Sequence, residues 1–178
     1  TTFLPSSDVI GYLRVAVEAG RSDADVVHVQ HEYALFGPAS IYGWPFFVLV
    51  WLLTRMQGKP LIMTLHSAWN RETVAGEDLE TLKRFYIRAN NRLLVTVADR
   101  LVFLSENCRE SFSQSVNPQN DVVFPHGVKV GSTREMTKAE AKAVLDYDSD
   151  DLLVVEPGYV RRQKGTHRFV DAATELPD

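Results

Sequence analysis

The chain is poor in cysteine, with Cys108 alone in 178 residues. One thiol cannot close an internal disulfide, so a disulfide-stapled scaffold is excluded. The sequence also lacks a cysteine cluster and an H-E-x-x-H helix, the patterns of dedicated zinc sites. It has no G-x-S-x-G elbow for a hydrolase nucleophile. Neither a Walker A loop nor G-x-G-x-x-G is present, so any phosphate must be bound by other means. No apolar run approaches the roughly 20 residues that cross a bilayer. The longest, WPFFVLVWLL, covers only Trp44 to Leu53. The start carries no leader-like pattern. With a net charge of -4, the chain as a whole is no electrostatic trap for nucleic acid or anionic lipid.

What is present is an alternation of helical and strand patterns. Ser6, Ser7 and Asp8 offer caps for a helix carrying Val9, Tyr12, Leu13 and Ala16, with Gly20 as its stop. A strand follows at Val26–Gln30. The apolar segment Ile41–Met56 reads as a core helix, with membrane contact of an exposed face as the competing reading. Leu61–Leu65 is the second strand. In the long helix after it, Leu79, Leu82, Tyr86, Ala89, Leu93 and Val97 recur three or four apart, which predicts one buried apolar stripe. Strands at Leu101–Leu104 and Val122–Phe124 flank a short helix that Ser105 can cap. Thr137 and Glu140 form a capping box inside a charged linker. A fifth strand is predicted at Leu152–Val155 and a helix from about Thr166. The pattern predicts an α/β fold with parallel strands buried on both faces.

In an open parallel sheet, ligands bind beyond the carboxyl ends of the strands. Those ends carry His31 and Glu32, then His66, Ser105, His126 and Gly127, and finally Arg161 and Lys164. A lone histidine after a strand is usually structural. Three of the five histidines at such ends form a pattern, and they predict a cleft with His31 and Glu32 on its rim. The stretch PGYVRRQKGTHRF puts Arg161, Arg162 and Lys164 just before a helix start. Cations and a helix N-terminus can be aimed at one anion. A solvated basic turn explains that stretch equally well. Cys108, behind a strand end, reads as a small residue facing its helix partner.

These segments resemble, in order, the GT-B retaining glycosyltransferases of the family-four type, also called group 1 glycosyltransferases. VQHEYALFG, KPLIMTLHS, ADRLVFLSENCRESF, VVFPHGV and GYVRRQKGTHRFVDAATEL each look like a segment of that family. The resemblance implies a Rossmann-like acceptor domain over residues 1–130, incomplete at its first strands. It implies a linker over 131–150, and the first strand-loop-helix of a donor-binding Rossmann-like domain over 151–178. A nucleotide-diphospho-sugar is then the donor substrate, with no cofactor and no metal. Arg161, Lys164 and Gly158 would hold its diphosphate. His66 would face the reacting sugar as the catalytic position. His31, Glu32, Ser105, His126 and Gly127 would line the acceptor side of the cleft. The acceptor would be a sugar, a lipid-linked molecule or a small molecule. Nucleic acid is not an expected partner. The location would be cytoplasmic, with peripheral contact at the cytoplasmic face of a membrane at most.

The family's opening strand and its later acidic donor motif have no counterpart here, so the chain reads as an internal piece that is inactive by itself. Glu156 stands where a small or apolar residue is expected. Two other readings remain open. One is a non-catalytic sugar- or nucleotide-binding module of the same fold. The other is a different GT-B enzyme, such as a sugar-nucleotide epimerase.

Overall fold

The computed structural model describes residues 8–33, 35–37, 40–70, 72–76, 78–127, 136–156, 160 and 165–175. Its contacts divide the chain into two units, residues 1–128 and 129–178. In the first unit the elements are α1 (Val9–Arg21), β1 (Val27–His31), α2 (Gly43–Met56), β2 (Leu61–Leu65), α3 (Glu80–Val97), β3 (Arg100–Phe103), α4 (Glu106–Ser113) and β4 (Asp121–Val123). The four strands form one parallel sheet in the order β1-β2-β3-β4. Each consecutive pair is joined through a helix, as parallel pairing requires. Local signals set the helix starts. Asp8 accepts the Gly11 amide at 2.8 Å to cap α1, and Ser105 accepts the Cys108 amide at 3.1 Å to cap α4.

One face of the sheet is packed. Val27, Val29, Leu61, Met63, Leu65, Leu101 and Phe103 meet Phe46, Phe47 and Val50 of α2, Leu94 and Val97 of α3, and Phe112 of α4. Gly20 does not stop α1, as predicted, but lies inside it. A Cβ there would come within 2.5 Å of the Leu53 Cβ, so glycine is what lets α1 and α2 approach. The N-terminal ends of β2 and β3 are pinned by Asp99, which accepts the Leu61 amide at 2.8 Å and pairs with Arg55 at 3.5 Å.

Three expectations need correction. First, the strands are not buried on both faces. His28, Gln30 and Val122 are exposed on the opposite face, and Ile62 and Val102 are half-buried. The alternation in VHVQH carried this information, because polar residues at every second position mark one face. Second, the predicted stripe of α3 is buried only towards its C-terminal end, where Val97 is inside and Leu93 packs against the core. Leu79 and Leu82 are 72% and 61% exposed, and the inward positions are Ile87, Asn90, Asn91, Leu94 and Val97. Third, Leu152–Val155 forms no strand. It has no neighbouring strand to supply a ladder among the described residues, and Leu152, Val154 and Val155 are exposed.

The second unit contains α5 (Lys138–Val144) and α6 (Thr166–Thr174). Its capping box is formed as expected: Thr137 Oγ1 accepts the Glu140 amide at 3.3 Å, and Glu140 accepts the Thr137 amide at 2.8 Å. The Thr137 amide and hydroxyl, both donating to it, hold the Glu140 carboxyl below its ordinary range. Glu156 accepts a hydrogen bond from the Thr166 hydroxyl at 3.0 Å, which ties it to the first residue of α6.

The core also holds a histidine. His31 is fully buried at the end of β1 and stacks on Phe36 with ring centroids 5.6 Å apart. Its Nε2 meets Ser40 Oγ at 3.2 Å, and its Nδ1 is buried without a partner among the described residues. Burial, helped by the nearby His66, lowers its pKa from 6.5 to about 4. The native ring is therefore neutral, while the unfolded chain takes up a proton below pH 6.5. Stability contributed by this residue falls as pH drops from 6.5 towards 4, by roughly 2–3 kcal/mol. Urea unfolding between about pH 7 and pH 4.5 should show His31→Phe losing less stability than the parent by that amount. An identical pH dependence in both proteins would contradict the buried neutral histidine.

Candidate functional site

The C-terminal ends of β1 and β2, with the segment after β4, bring several polar side chains together. Gln30 is the hub. Its Oε1 accepts from His66 Nε2 at 2.8 Å, and its Nε2 lies 3.2 Å from His28 Nε2. His28 Nε2 is also 2.8 Å from the Thr64 hydroxyl. With Gln30 so oriented, His66 donates through Nε2, and in the neutral form of the ring Nδ1 is the acceptor. The His66 amide donates to the His31 carbonyl at 2.9 Å, which fixes the backbone beneath the ring. The His126 ring lies 5.4 Å from that of His66. Beside them, Ser67 Oγ donates to Glu32 Oε1 at 2.8 Å, holding that carboxylate half-buried.

His66, His126, Glu32 and Ser67 thus share one end of the sheet. His31 does not join them on a rim. It lies in the core, because β1 alternates and positions 27, 29 and 31 all point into the helix layer. Ser105 is at the same end of the sheet, but its hydroxyl is occupied as the α4 cap. Gly127 is exposed, and a Cβ there would meet nothing within 4 Å, so packing gives no reason for glycine. Gly158, Arg161 and Lys164 lie outside the described residues. Cys108 is half-buried with Sγ 4.0 Å from the Leu65 carbonyl oxygen, and burial pushes its thiol pKa up. It packs against the core. Among the described residues, no group of three acidic, histidine or cysteine side chains could hold a metal ion.

Sequence reasoning missed Gln30, Ser67 and the residues that support their loops. Tyr33 follows Glu32, and Trp69 follows Ser67 and Ala68. Their rings stack at 4.7 Å, nearly parallel at 6°. Asn91, buried on α3, accepts from the Tyr33 hydroxyl at 2.6 Å and donates to the Trp69 carbonyl at 3.0 Å. Asn90 accepts from the Trp44 indole at 2.8 Å. One helix therefore fastens the loop after β1, the loop after β2 and the start of α2. Burial pushes the Tyr33 hydroxyl pKa up, so it stays a donor.

Replacing Asn91 with Leu removes the acceptor of the buried Tyr33 hydroxyl and a donor to the Trp69 carbonyl. The expected cost is about 2–4 kcal/mol. Adding Tyr33→Phe should then cost less than it does in the parent, because the two residues share one bond. Denaturant titrations of both single variants and the double variant measure this. Strict additivity would remove the clamp.

The family model described as "Glycosyl transferase 4-like domain" matches residues 4–127. A D-inositol 3-phosphate glycosyltransferase from Segniliparus rotundus is 30% identical over 131 residues, which is 71% of this chain and 28% of that protein. The chain thus matches less than a third of the length of that curated relative. No solved structure matches the chain. The parallel α/β sheet, the polar cluster at its carboxyl edge and the family match over most of the sequence agree: the chain belongs to the glycosyl transferase 4-like family of group 1, GT-B-type glycosyltransferases.

Proposed function

We propose that this chain provides the acceptor-side domain, the linker and the first donor-side elements of a retaining glycosyltransferase. The donor is a nucleotide-diphospho-sugar, and the acceptor is a hydroxyl on a sugar, a lipid-linked molecule or a small molecule. The observation carrying this reading is the Gln30–His66–His126 cluster at the carboxyl edge of a parallel sheet, within the segment that matches the family. That edge is where open α/β sheets bind ligands.

The chemistry follows from the groups available. The donor's anomeric C–O bond breaks, and its electron pair leaves on the diphosphate. The acceptor oxygen bonds the same carbon from the same face, and its proton passes to the leaving phosphate oxygen. The acceptor side offers His66, whose Nε2 is held by Gln30 and whose Nδ1 is the atom left to meet a sugar hydroxyl. Glu32, bound by Ser67, is a positioning carboxylate and not a nucleophile. We assign Arg161, Lys164 and Gly158 to the diphosphate. Two cations there would supply the charge that a divalent metal otherwise brings, so the reaction should run without one.

The test uses the complete enzyme with excess chelator. The donors are a panel of uridine- and guanosine-diphospho-sugars. The acceptors include D-inositol 3-phosphate, the compound in the relative's name. Transfer with retained configuration is expected. His66→Ala should lower kcat far more than donor affinity, because only an interaction stronger in the transition state than in the bound ground state changes the rate. Lys164→Ala should weaken both by roughly 2–4 kcal/mol. Arg161→Lys should also lose activity, since an ammonium does not reproduce the guanidinium fork. Activity abolished by chelator and restored by manganese, with Lys164→Ala unaffected, would sink the diphosphate assignment. Donor binding without transfer to any acceptor would favour a binding module of the same fold.

A further inference from the structure

The outward face of α3 is chemically unlike the rest of the molecule. Thr81, Phe85, Arg88 and Arg92 follow one another along its outermost line, and all are exposed. Phe85 is 70% exposed and Leu82, beside it, 61%. An aromatic ring at a solvated position of a packed helix opposes the burial pattern of that helix. The surrounding charge is positive. Lys83, Arg84, Arg88 and Arg92 against Glu80 give α3 a net charge of +3 (four bases less one acid), within a chain of net charge -4. Arg84 pairs with Glu80 at 2.5 Å, whereas Arg88 and Arg92 form no ion pair among the described residues.

Two open clefts flank this face. One, of about 250 Å³, is lined by Arg84, Phe85, Arg88 and Ser115. The other, of about 440 Å³, is lined by Arg88, Arg92 and residues between Ser115 and Gln119. Ser115 Oγ is shielded from solvent and has no hydrogen-bond partner among the described residues. Apolar side chains among arginines, above clefts that can take an anionic oxygen, suit an interface with an apolar interior and phosphate headgroups. A purely aqueous anion would leave Leu82 and Phe85 unexplained.

We propose that the outer face of α3 is a docking surface for an anionic phospholipid bilayer. Leu82 and Phe85 enter the acyl boundary, and Arg84, Arg88 and Arg92 contact lipid phosphates. The contact is interfacial: among the described residues no helix is long and apolar enough to cross a membrane. It is also distinct from α2, where the exposed Val48, Leu52 and Met56 carry no comparable positive stripe. In this parallel fold α3 runs against the strands, so Leu82 and Phe85 lie at the same end of the sheet as His66 and Glu32. Resting on the transfer reading, that placement would bring a lipid-borne acceptor hydroxyl to the cleft. The lipid contact itself does not depend on it.

Vesicle cosedimentation of the full chain tests this without any activity readout. Vesicles of phosphatidylcholine with phosphatidylglycerol should bind the protein in a salt-sensitive way, and phosphatidylcholine alone should bind it weakly. The triple variant Arg84→Gln, Arg88→Gln, Arg92→Gln should lose on the order of 100-fold in partitioning, from roughly fivefold per near-surface arginine. Leu82→Ser with Phe85→Ser should also reduce binding while leaving the thermal unfolding midpoint unchanged, since both side chains are exposed. The proposal is overturned by any of four results. These are no binding to anionic vesicles; equal binding to both vesicle types; binding lost on Leu52→Ser with Met56→Ser but kept by the α3 variants; or saturable inorganic phosphate binding without vesicle binding. Lipid binding without transfer would leave this surface standing and remove only the enzymatic reading.

Discussion

The buried carboxamide of Asn91 is the constraint on which the candidate site depends. A parallel sheet places loops at its carboxyl edge but does not fix their conformation. Here two such loops face each other through the Tyr33–Trp69 stack, and Asn91 satisfies one polar group in each. The site residues Glu32 and His66–Ser67 lie within a few positions of those anchors. Burying a carboxamide on a helix is favourable only when its hydrogen bonds are made, so the arrangement of both loops is coupled to the docking of α3. Asn90 extends the coupling to α2 through Trp44.

This also explains where the sequence is legible and where it is not. Strand and helix positions follow from periodicity, and β2 matches its predicted limits, Leu61–Leu65. Cap chemistry places α1, α4 and α5, because Asp8, Ser105 and Thr137 act within three residues. The inward face of α3 escapes periodicity because its inward residues include two asparagines. Nothing local distinguishes a solvated Asn from one whose partners, Tyr33 and Trp69, lie 58 and 22 residues away. The three strand-end histidines separate for a simpler reason. His31 continues the inward alternation of β1, so its polarity points wrongly to a rim. His66 follows the last residue of β2 and turns to Gln30.

The first unit tolerates local strain where it sharpens the exit from β1. Gly37 has φ of 79°, and a Cβ there would lie 2.1 Å from the Tyr42 ring, so only glycine fits that turn. Ser40, at φ 68°, holds a left-handed conformation that is uncommon outside glycine, and its hydroxyl meets His31. The buried neutral histidine and the strained serine support each other. The route from β1 to α2 is thereby specified at a modest cost in backbone energy, on the order of 1 kcal/mol.

The central claim is that one asparagine on α3 holds both loops of the site in place. Residue-resolved amide hydrogen exchange on the parent and on Asn91→Leu tests it most directly. The account predicts that protection is lost at Tyr33, Leu35 and Phe36 and in residues 66–70 together, while the amides of Val29 and Met63 in the paired strands β1 and β2 keep theirs. Unchanged protection in either loop, or a uniform loss across the sheet, would contradict it.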